Sequence, residues 1–412
     1  MVEIANSAGV RRALPKDSIG TRPPAGTASR ASDALALLAE IAEGQWRGLS
    51  ERAIEPNGYY LPGWELAVNA SARGRTGVSA LAAWSDPSPA QDGRANLIGL
   101  LPAISLWRAY GIPLPALVSA DPYGTLCTPL LDRDMADGAV VRLMREARKA
   151  GAHALILRDV SLDGAAMKIF TEVLRQGGMV PWLLQSHSRA CLDATRDADE
   201  LLRDALGAKK LKDLRRQRHR LAEHGAVRFE VARDPEDVAT AVEIFLNLEA
   251  SGWKARRGTA LIQDDGDASF VRRAATALAE TGQCEIVTLR AGDTPIAAAI
   301  VLRHLDRAFY FKLGVDERFA KWSPGVQLTL DLTRHLCADP AIATADSTAS
   351  PDHPMINPIW RGRLAIGDVL VPLRRNDPLV ALIRATLGLR RLVREPARRA
   401  VHFLRKHHEK SA

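Results

Sequence analysis

Residues 314–330 read GVDERFAKWSPGVQLTL and join an apolar strand to a helix with leucine spacing. Ser323 is of the residue type that caps helices, and Pro324 suits the first helical position, where a backbone N–H has no partner. Gly325 has no side chain, so a ligand can approach the backbone closely. The first helical N–H groups attract anions at the positive end of the helix dipole. The stretch therefore predicts either a capped helix start that binds nothing or a seat for a phosphate group.

The segments around this junction predict an ordered series of strands and helices. Alternating residues predict a strand at 227–232. Helical patterns cover 234–253, with Asp234 as the N-cap, and 267–280. Three strands follow, and their connections are short enough for hairpins. They span residues 284–290, 295–304 and 307–315. The order is then an antiparallel meander, the junction, a helix from Pro324 to about Cys337, and two strands, at 342–348 and 368–373.

The N-terminal half shows a less distinct copy of this order. The predicted elements are strands at residues 77–85, 94–103 and 115–121, a helix at 137–151 and a strand at 153–160. Asp121 and Asp159 stand where Asp316 and Asp346 stand in the second copy, but no Ser-Pro-Gly element opens the first helix. We predict a duplicated α/β (α+β) fold whose first copy lacks the phosphate loop.

The amino-acid composition limits the classes of protein to which this chain can belong. Of the 412 residues, 47% are hydrophobic and 25% are charged, which is ordinary for a folded chain of two or three domains. The 4 cysteines form no CxxC pair and the histidines lack metal-ligand spacing, so we expect no disulfide framework and no metal. A membrane-spanning helix needs about 20 consecutive residues that are nearly all apolar, and no segment contains such a run. We expect a cytoplasmic protein, with peripheral membrane association as the alternative.

The net charge of +8 is concentrated in the C-terminal tail. Residues 372–412 contain 11 Lys+Arg and 3 Asp+Glu, and 11 − 3 = +8. Leucines and arginines alternate there at helical spacing, so residues 374–412 form either a basic amphipathic helix for an anionic membrane surface or a helix packed on the body. The tail has few aromatic residues and no recognised nucleic-acid module, so we expect no nucleic-acid partner. Residues 1–32 are predicted to be a disordered leader.

Several motifs resemble the GNAT acyltransferases. They are LRRQRHRLAEHG, LEASGWKARRGTAL, PIAAAIVLRHLDRAFYFKLGVDERFAKWSPGVQL and the strand that contains Asp346. They resemble most the CelD/BcsL-type branch, a Fem-related group linked to cellulose and exopolysaccharide synthesis, over about residues 205–373. The glycine-rich RGxGxG loop of the wider superfamily is replaced by FAKWSPGV.

The resemblance implies tandem GNAT-like domains, each a mixed, largely antiparallel sheet flanked by helices. They would occupy residues 33–204 and 226–373, and a basic helix at 205–225 would connect them. This connecting helix is expected to have a solvated basic face, with a phosphate-attracting wall as the alternative.

The resemblance also implies acetyl-CoA or a longer acyl-CoA as co-substrate. The residues expected to bind it are Leu313, Gly314, Val315, Arg318, Lys321, Ser323, Gly325 and Val326. Acyl transfer needs a base, and His353 is the first choice because the reference pKa of histidine is about 6.5. Asp346 or Asp352 would orient His353 or bind the acceptor. Alternatively, His353 only pins a proline-rich loop.

Trp253, Lys254 and Arg256 are the expected acceptor-binding residues, although Trp253 also suits the core. The acceptor would be a sugar intermediate of a surface polysaccharide or a lipid amine, modified as an N- or O-acyl product. Two alternatives stay open. One is a Fem-like transferase that uses aminoacyl-tRNA, and the other is a non-catalytic scaffold that docks a polymer synthase.

Overall fold

The computed structural model describes residues 35–87, 93, 95–252 and 258–392. In the first half the strands are β1 (Ala36–Leu37), β2 (Ser79–Trp84), β3 (Leu97–Ser105), β4 (Ala116–Ser119), β5 (Leu130–Leu131), β6 (Ala154–Ser161) and β7 (Trp182–Asp193). Its helices are α1 (Glu43–Glu51), α2 (Pro62–Ser71), α3 (Leu106–Tyr110), α4 (Ala136–Lys149) and α5 (Ala165–Gln176).

The second half begins after a connecting helix, α6 (Ala198–Leu221), which is kinked at Gly207. Its strands are β8 (Val227–Ala232), β9 (Cys284–Ala291), β10 (Thr294–His304), β11 (Arg307–Val315), β12 (Thr344–Asp346) and β13 (Gly362–Pro372). Its helices are α7 (Pro235–Ala250), α8 (Asp265–Ala279), α9 (Pro324–Cys337) and α10 (378–392).

Strands of both halves form one sheet. Its order is β1-β2-β3-β4-β6-β13-β7-β12-β11-β10-β9-β8, with β5 beside β3. Neighbours are antiparallel except for β4 with β6 and β11 with β12, which are parallel. These two parallel pairs occupy corresponding places in the two halves. The predicted fold class, a mixed and largely antiparallel sheet flanked by helices, is confirmed.

The last strand of each half lies in the sheet of the other half. β13 is inserted between β6 and β7, and β7 pairs with β12. In the central pair, Leu364 lies opposite Arg189 and Ile366 opposite His187. β7 was not predicted, because polar residues interrupt its apolar pattern at QSHSR. β13 was predicted beside the second copy alone, whereas neither half completes its own sheet.

Most other predicted elements lie close to their predicted positions. β8, β11 and α9 have the predicted bounds, and α8 begins two residues early, where the Asp264 side chain accepts hydrogen bonds from two backbone N–H groups. Two strand predictions were wrong in length. The strand predicted at 342–348 covers only three residues, and the one predicted at 368–373 begins at Gly362.

Both faces of the second-half sheet are buried. Ala298, Ile300 and Leu302 pack with α7 and α8 on one face, and the alternate residues of β10 pack with α6 and α9 on the other. This explains why β10 reads as a nearly continuous apolar run. α2 of the first half packs on α8, and the Trp64 ring meets Phe270 edge-on at 5.0 Å between centroids. The halves therefore share a core as well as a sheet.

His304 fixes a loop of the first half against β10. Its Nδ1 accepts a hydrogen bond of 2.8 Å from the Asn57 N–H, so Nε2 carries the proton and donates to the Ser50 carbonyl at 2.9 Å. Burial lowers the pKa of His304 to about 4, so the ring is neutral at neutral pH. The loop that it holds carries Tyr59, which lines one of the cavities described below.

The tail helix α10 packs on the first half. Val380 and Ile383 are buried against the sheet, whereas Leu382, Leu389 and Leu392 are exposed. The packed-helix alternative therefore applies as far as residue 392, and the rest of the predicted 374–412 tail lies outside the described residues. Across the described ranges, no helix has the length and apolarity of a membrane span.

Candidate active site

β11 and β12 part soon after they begin. Their pairing covers only Arg307–Phe309 against Thr344–Asp346, although β11 continues to Val315. On its other edge, the register of β11 with β10 passes from Lys312 to Tyr310, so Phe311 forms a bulge. Bulges bend a strand and disrupt its ladder locally. The sheet is thus splayed at Phe311.

The splay opens a cavity of about 310 Å³, which we call the strand cleft. One wall is β11 from Tyr310 to Leu313, and the other is the loop after β12, including Thr348, His353 and Met355. The lining is mostly apolar, and it includes the titratable side chains of His353 and Lys312. Such a cleft suits an extended, mainly apolar ligand lying along β11.

A second cavity of about 310 Å³ shares part of its lining with the strand cleft, and we call it the interface cavity. Both are lined by Phe311, Lys312 and Thr348. The other lining residues all come from the first half: Tyr59, Arg75, Asp121, Tyr123, Gly124 and Thr125. The two cavities therefore converge where the sheet splays.

Charges and rings surround the interface cavity. Arg75 binds the Asp121 carboxylate at 2.9 Å and lies 4.3 Å from the centroid of the Tyr123 ring. The ammonium group of Lys312 lies 5.5 Å from the centroid of the same ring. A Cβ on Gly124 would stand 2.3 Å from the Tyr59 ring, so glycine is required for this packing. The cavity offers aromatic surface and both signs of charge.

Strained backbone occurs at two residues that line the cavities and at the start of α9. Tyr123, Ser323 and Thr348 have positive φ values of 57°, 54° and 50°. A β-branched residue such as threonine is a genuine outlier there, and strained backbone tends to mark functional sites. Thr348 is held by its N–H, which donates to Asp346 at 2.9 Å, and by its hydroxyl, which donates to the Tyr310 carbonyl at 2.6 Å.

Asp346 lies just behind the cleft and is fully buried. Its carboxylate forms a short ion pair with Arg189 of β7, which is also fully buried. Arg189 donates in addition to the Thr125 hydroxyl at 2.9 Å. The carboxylate of Asp346 is thus engaged by Arg189 and Thr348, and its predicted role, to orient His353 or bind the acceptor, stays a prediction. Asp346 joins the halves beside the site.

His353 lines the strand cleft, as the sequence predicts. Its Nδ1 accepts long hydrogen bonds, both 3.4 Å, from the N–H groups of Met355 and Ile356. Burial lowers the pKa of His353, so the ring is neutral at neutral pH. These hydrogen bonds place the ring proton on Nε2 and also pin the loop. Asp352 lies on an exposed turn beside it.

The junction at α9 differs from a simple capped start. Ser323 occupies the N-cap position, but its side chain makes no capping hydrogen bond, which corrects the predicted cap. The first helical hydrogen bond runs from the Gln327 N–H to the Ser323 carbonyl, so the N–H groups of Gly325 and Val326 precede the helical ladder. A Cβ on Gly325 would lie 2.9 Å from Leu313 Cδ2. The helix start therefore packs directly against the cleft wall.

The two cations predicted to bind CoA, Arg318 and Lys321, each contact a neighbouring side chain. Arg318 binds the Asp316 carboxylate, with Nη2 at 2.7 Å. Lys321 lies 4.0 Å from the centroid of the Trp322 ring. Gly314 is constrained in another way, because a Cβ there would stand 2.7 Å from the Glu249 backbone nitrogen of α7.

A basic cavity of about 450 Å³ lies next to this helix start. Arg216 and Arg220 of α6 line it together with Lys321 and Trp322. The sequence favoured a solvated basic face for this helix, whereas the structure places part of that face in a cavity that suits phosphate.

The first-half residues of the interface cavity, and Arg189, were not predicted as site residues. No local motif marks them, because they meet β11 only through the fold. Trp253, Lys254 and Arg256 lie outside the described residues, so their predicted role is unchanged. In the described part of the chain, no three His, Cys, Asp or Glu side chains come together as metal ligands would.

Comparisons with known proteins agree with this architecture. Residues 208–353 match the family model of the acetyltransferase (GNAT) domain. No curated protein matches the sequence. Among solved structures, FemX superposes with a TM-score of 0.53 at 13% identity, covering 84% of this chain and 99% of that chain. This likeness shows a shared fold.

Two further structures are similar at TM-scores too low to add to the argument. The C-terminal domain (DUF2156) of a proposed lysylphosphatidylglycerol synthetase from Agrobacterium fabrum has a TM-score of 0.48 and 14% identity, covering 84% of this chain and 96% of that one. A tandem GNAT protein from the clavulanic acid biosynthesis pathway has 0.37 and 14%, covering 83% and 98%. From the family match, we conclude that residues 208–353 contain a GNAT-like acetyltransferase domain and that the protein is an acyltransferase.

Proposed function

We propose that this protein transfers an acyl group from acetyl-CoA or a longer acyl-CoA, held in the strand cleft, to an acceptor that enters through the interface cavity. The observation that carries the proposal is the convergence of the two cavities on Phe311, Lys312 and Thr348, where β11 leaves β12. A thioester carbonyl at this junction is open to the donor on one side and to a nucleophile on the other.

The phosphates of the donor would lie beyond Leu313, at the start of α9. The N–H groups of Gly325 and Val326 point out of the helix start, where the helix dipole favours negative charge. The basic cavity, with Arg216 and Arg220, would hold the terminal phosphate. The acyl-pantetheine arm would follow the backbone of Leu313, Gly314 and Val315 towards the splay.

The transfer itself needs few groups. The amine or hydroxyl of the acceptor attacks the thioester carbon, the carbon–sulfur bond breaks, and the thiolate leaves on CoA. The bulged backbone at Phe311 would supply an N–H to the developing oxyanion. The proton of the nucleophile would go to Nδ1 of His353, the nitrogen that carries no proton in this neutral ring, and we retain Asp352 as the proposed orienting group.

Replacement of His353 by asparagine separates this catalytic role from a structural one. In His353→Asn the amide side chain still offers an acceptor to the N–H groups of Met355 and Ile356 but cannot take a proton, whereas His353→Ala loses both functions. If His353 is the base, both variants lose about a hundredfold in kcat. Because burial lowers the pKa of His353, the wild-type rate should fall only below the usual histidine pKa of about 6.5, as the ring gains a proton.

The pH profile of kcat/KM checks this assignment. In the asparagine variant the acidic limb should disappear. If the asparagine variant is active and the alanine variant is impaired, the role of His353 is only to hold the loop.

Gly325→Val tests the donor site. The new side chain would displace Leu313 from the cleft wall, so we expect acyl-CoA affinity to fall by at least about tenfold, as measured by calorimetry. Gly138→Val in α4 is the matched control, because a Cβ at this early helical position meets nothing within 4 Å. Equal binding by both variants would contradict the donor site. A wild-type chain that binds no acyl-CoA would favour the scaffold alternative.

For the acceptor, we propose a lipid amine or a sugar intermediate of a surface polysaccharide, as in the CelD/BcsL-type branch. The rings of Tyr59, Tyr123 and Phe311 suit a sugar or an aliphatic chain, and Arg75 and Lys312 suit an attached phosphate. The exposed leucines of α10 favour a peripheral position at the cytoplasmic face of a membrane. A screen of aminolipids against nucleotide sugars, with radiolabelled acetyl-CoA, separates the two classes.

Aminoacyl-tRNA is the second candidate donor, and the basic cavity is the observation that favours it. Arg216, Arg220 and Lys321 would meet the phosphates of a tRNA end as well as those of CoA. Competition decides between them. Displacement of bound acetyl-CoA by aminoacyl-tRNA, but not by uncharged tRNA at moderate salt, would favour the tRNA donor.

A further inference from the structure

A cavity of about 590 Å³ lies between α10 and strands β6, β7 and β13. We call it the arginine cleft, because Arg158, Arg384, Arg390 and Arg391 line it. None of these residues lines the strand cleft, the interface cavity or the basic cavity. The proposed transfer reaction therefore does not account for this cleft.

Aromatic rings orient two of the arginines. The guanidinium of Arg384 lies 4.7 Å from the centroid of the Trp182 ring, and that of Arg390 lies 4.4 Å from the centroid of the Tyr110 ring. Stacking of this kind engages the face of a guanidinium. The N–H donors lie in its plane, where they match the oxygens of a phosphate. The rings thus hold the two guanidinium groups by their faces.

Hydrogen bonds within the cleft engage one of its two carboxylates. Asp368 accepts hydrogen bonds from the Asp159 N–H at 2.9 Å and from Gln185 Nε2 at 2.6 Å. Four arginines and two aspartates line the cleft, so its formal charge is 4 − 2 = +2. Asp159 also has a strained backbone, with a φ of 44°. A ligand with one or two negative charges would balance the arginines.

Apolar surface adjoins these charges. Ile156, Leu183 and Leu387 line the cleft, and Leu183 is 57% exposed. On the outer face of α10, Leu389 and Leu392 are 63% and 71% exposed. A small inorganic anion would use none of this surface, whereas the aliphatic chain of an amphiphile would cover it.

We propose that the arginine cleft binds the phosphate group of a lipid, with the aliphatic chains against Leu183, Leu387 and the exposed leucines of α10. The charge balance selects the phosphate, and the adjoining apolar surface selects an amphiphile. This site is separate from the acyl-transfer site, so it can be tested whether or not the transfer proposal holds.

The test measures binding of the full chain to four probes. They are short-chain dihexanoyl phosphatidic acid below its micellar concentration, inorganic phosphate, and phosphatidylcholine vesicles with and without phosphatidic acid. We expect the soluble lipid to bind at least about tenfold more tightly than inorganic phosphate, because it buries apolar surface. Arg384→Gln and Arg390→Gln should each weaken lipid binding by about tenfold or more, since each removes charge-assisted hydrogen bonds.

Arg47→Gln on α1 is the control, because it removes the same charge from an exposed pair with Glu43. Arg384→Lys keeps the charge and should bind with intermediate affinity, and thermal melting confirms that each variant is folded. If the chain binds only the vesicles that contain phosphatidic acid, and Arg384→Gln abolishes this binding, the site is supported and a membrane is the source of the lipid. Binding of the soluble lipid alone supports it with dispersed lipid as the source. Two results would overturn the proposal. One is that inorganic phosphate binds as tightly as the soluble lipid. The other is that Arg384→Gln and Arg47→Gln lose lipid affinity equally.

Discussion

Replacing Tyr59 with phenylalanine should lower kcat for acyl transfer by about a hundredfold and leave KM for the acyl donor nearly unchanged. The Tyr59 ring is fully buried, its hydroxyl has no hydrogen-bond partner of normal geometry among the described residues, and it lines the interface cavity. Burial raises the pKa of Tyr59, so the hydroxyl keeps its proton and can donate. Near the junction of the cavities, it would donate to the oxyanion, and removal of one such donor costs about 10²–10³ in kcat.

Tyr60 supplies a matched control for this experiment. It is also fully buried, and its hydroxyl also lacks a described partner, but it does not line the interface cavity. Tyr60→Phe should therefore keep nearly the full kcat. Steady-state kinetics with acetyl-CoA and an identified acceptor provide the measurement. Equal rates for the two phenylalanine variants would rule out Tyr59 as a donor at the reaction centre.

Asp346→Leu should destabilise the protein by about 3–5 kcal/mol, because it leaves the Arg189 guanidinium buried without its carboxylate. The side chains of Arg189 and Asp346 are 1% and 0% exposed. The double variant Arg189→Met/Asp346→Leu should recover most of this loss, since apolar pairs often replace buried ion pairs at little cost. Urea unfolding of the two single variants and the double variant measures the coupling between the residues.

The activity of the double variant carries separate information. Asp346 also accepts the hydrogen bond of the Thr348 N–H, which keeps Thr348 in its strained position between the two cavities. A stable double variant should therefore remain poorly active. Asp346→Asn keeps a side-chain oxygen that can accept this hydrogen bond. Its activity should therefore be higher than its loss of stability alone would suggest. If Asp346→Leu costs less than about 1 kcal/mol, the pair does not hold the halves together.

Local patterns predicted the second half well because its elements are contiguous in sequence. The hairpins of β9, β10 and β11 and the start of α9 at Pro324 each depend on neighbouring residues. The exchange of β7 and β13 depends on pairing between segments that are far apart in sequence, as in Leu364 with Arg189. Periodicity within one segment carries no information about such pairing, so the exchange could not be predicted.

The same reason separates the predicted parts of the site from the missed parts. Gly325 and His353 lie within one domain, near the motif that suggested them, and both adjoin the strand cleft. Tyr59 reaches Phe311 only because the first half folds over β11. Asp346 was predicted as a catalytic partner, and its buried position follows from Arg189, whose strand was not predicted.

The exchanged strands also limit how far the chain can fold during its synthesis. The gap between β6 and β7 is filled by β13, whose residues 362–372 are synthesised after the whole first half. The first half therefore cannot reach its native hydrogen bonding while it is the only part synthesised, although domains commonly fold one after another during translation. Until then β6 keeps an unpaired edge that could recruit another nascent chain, so translation speed and chaperones would govern the yield of this protein.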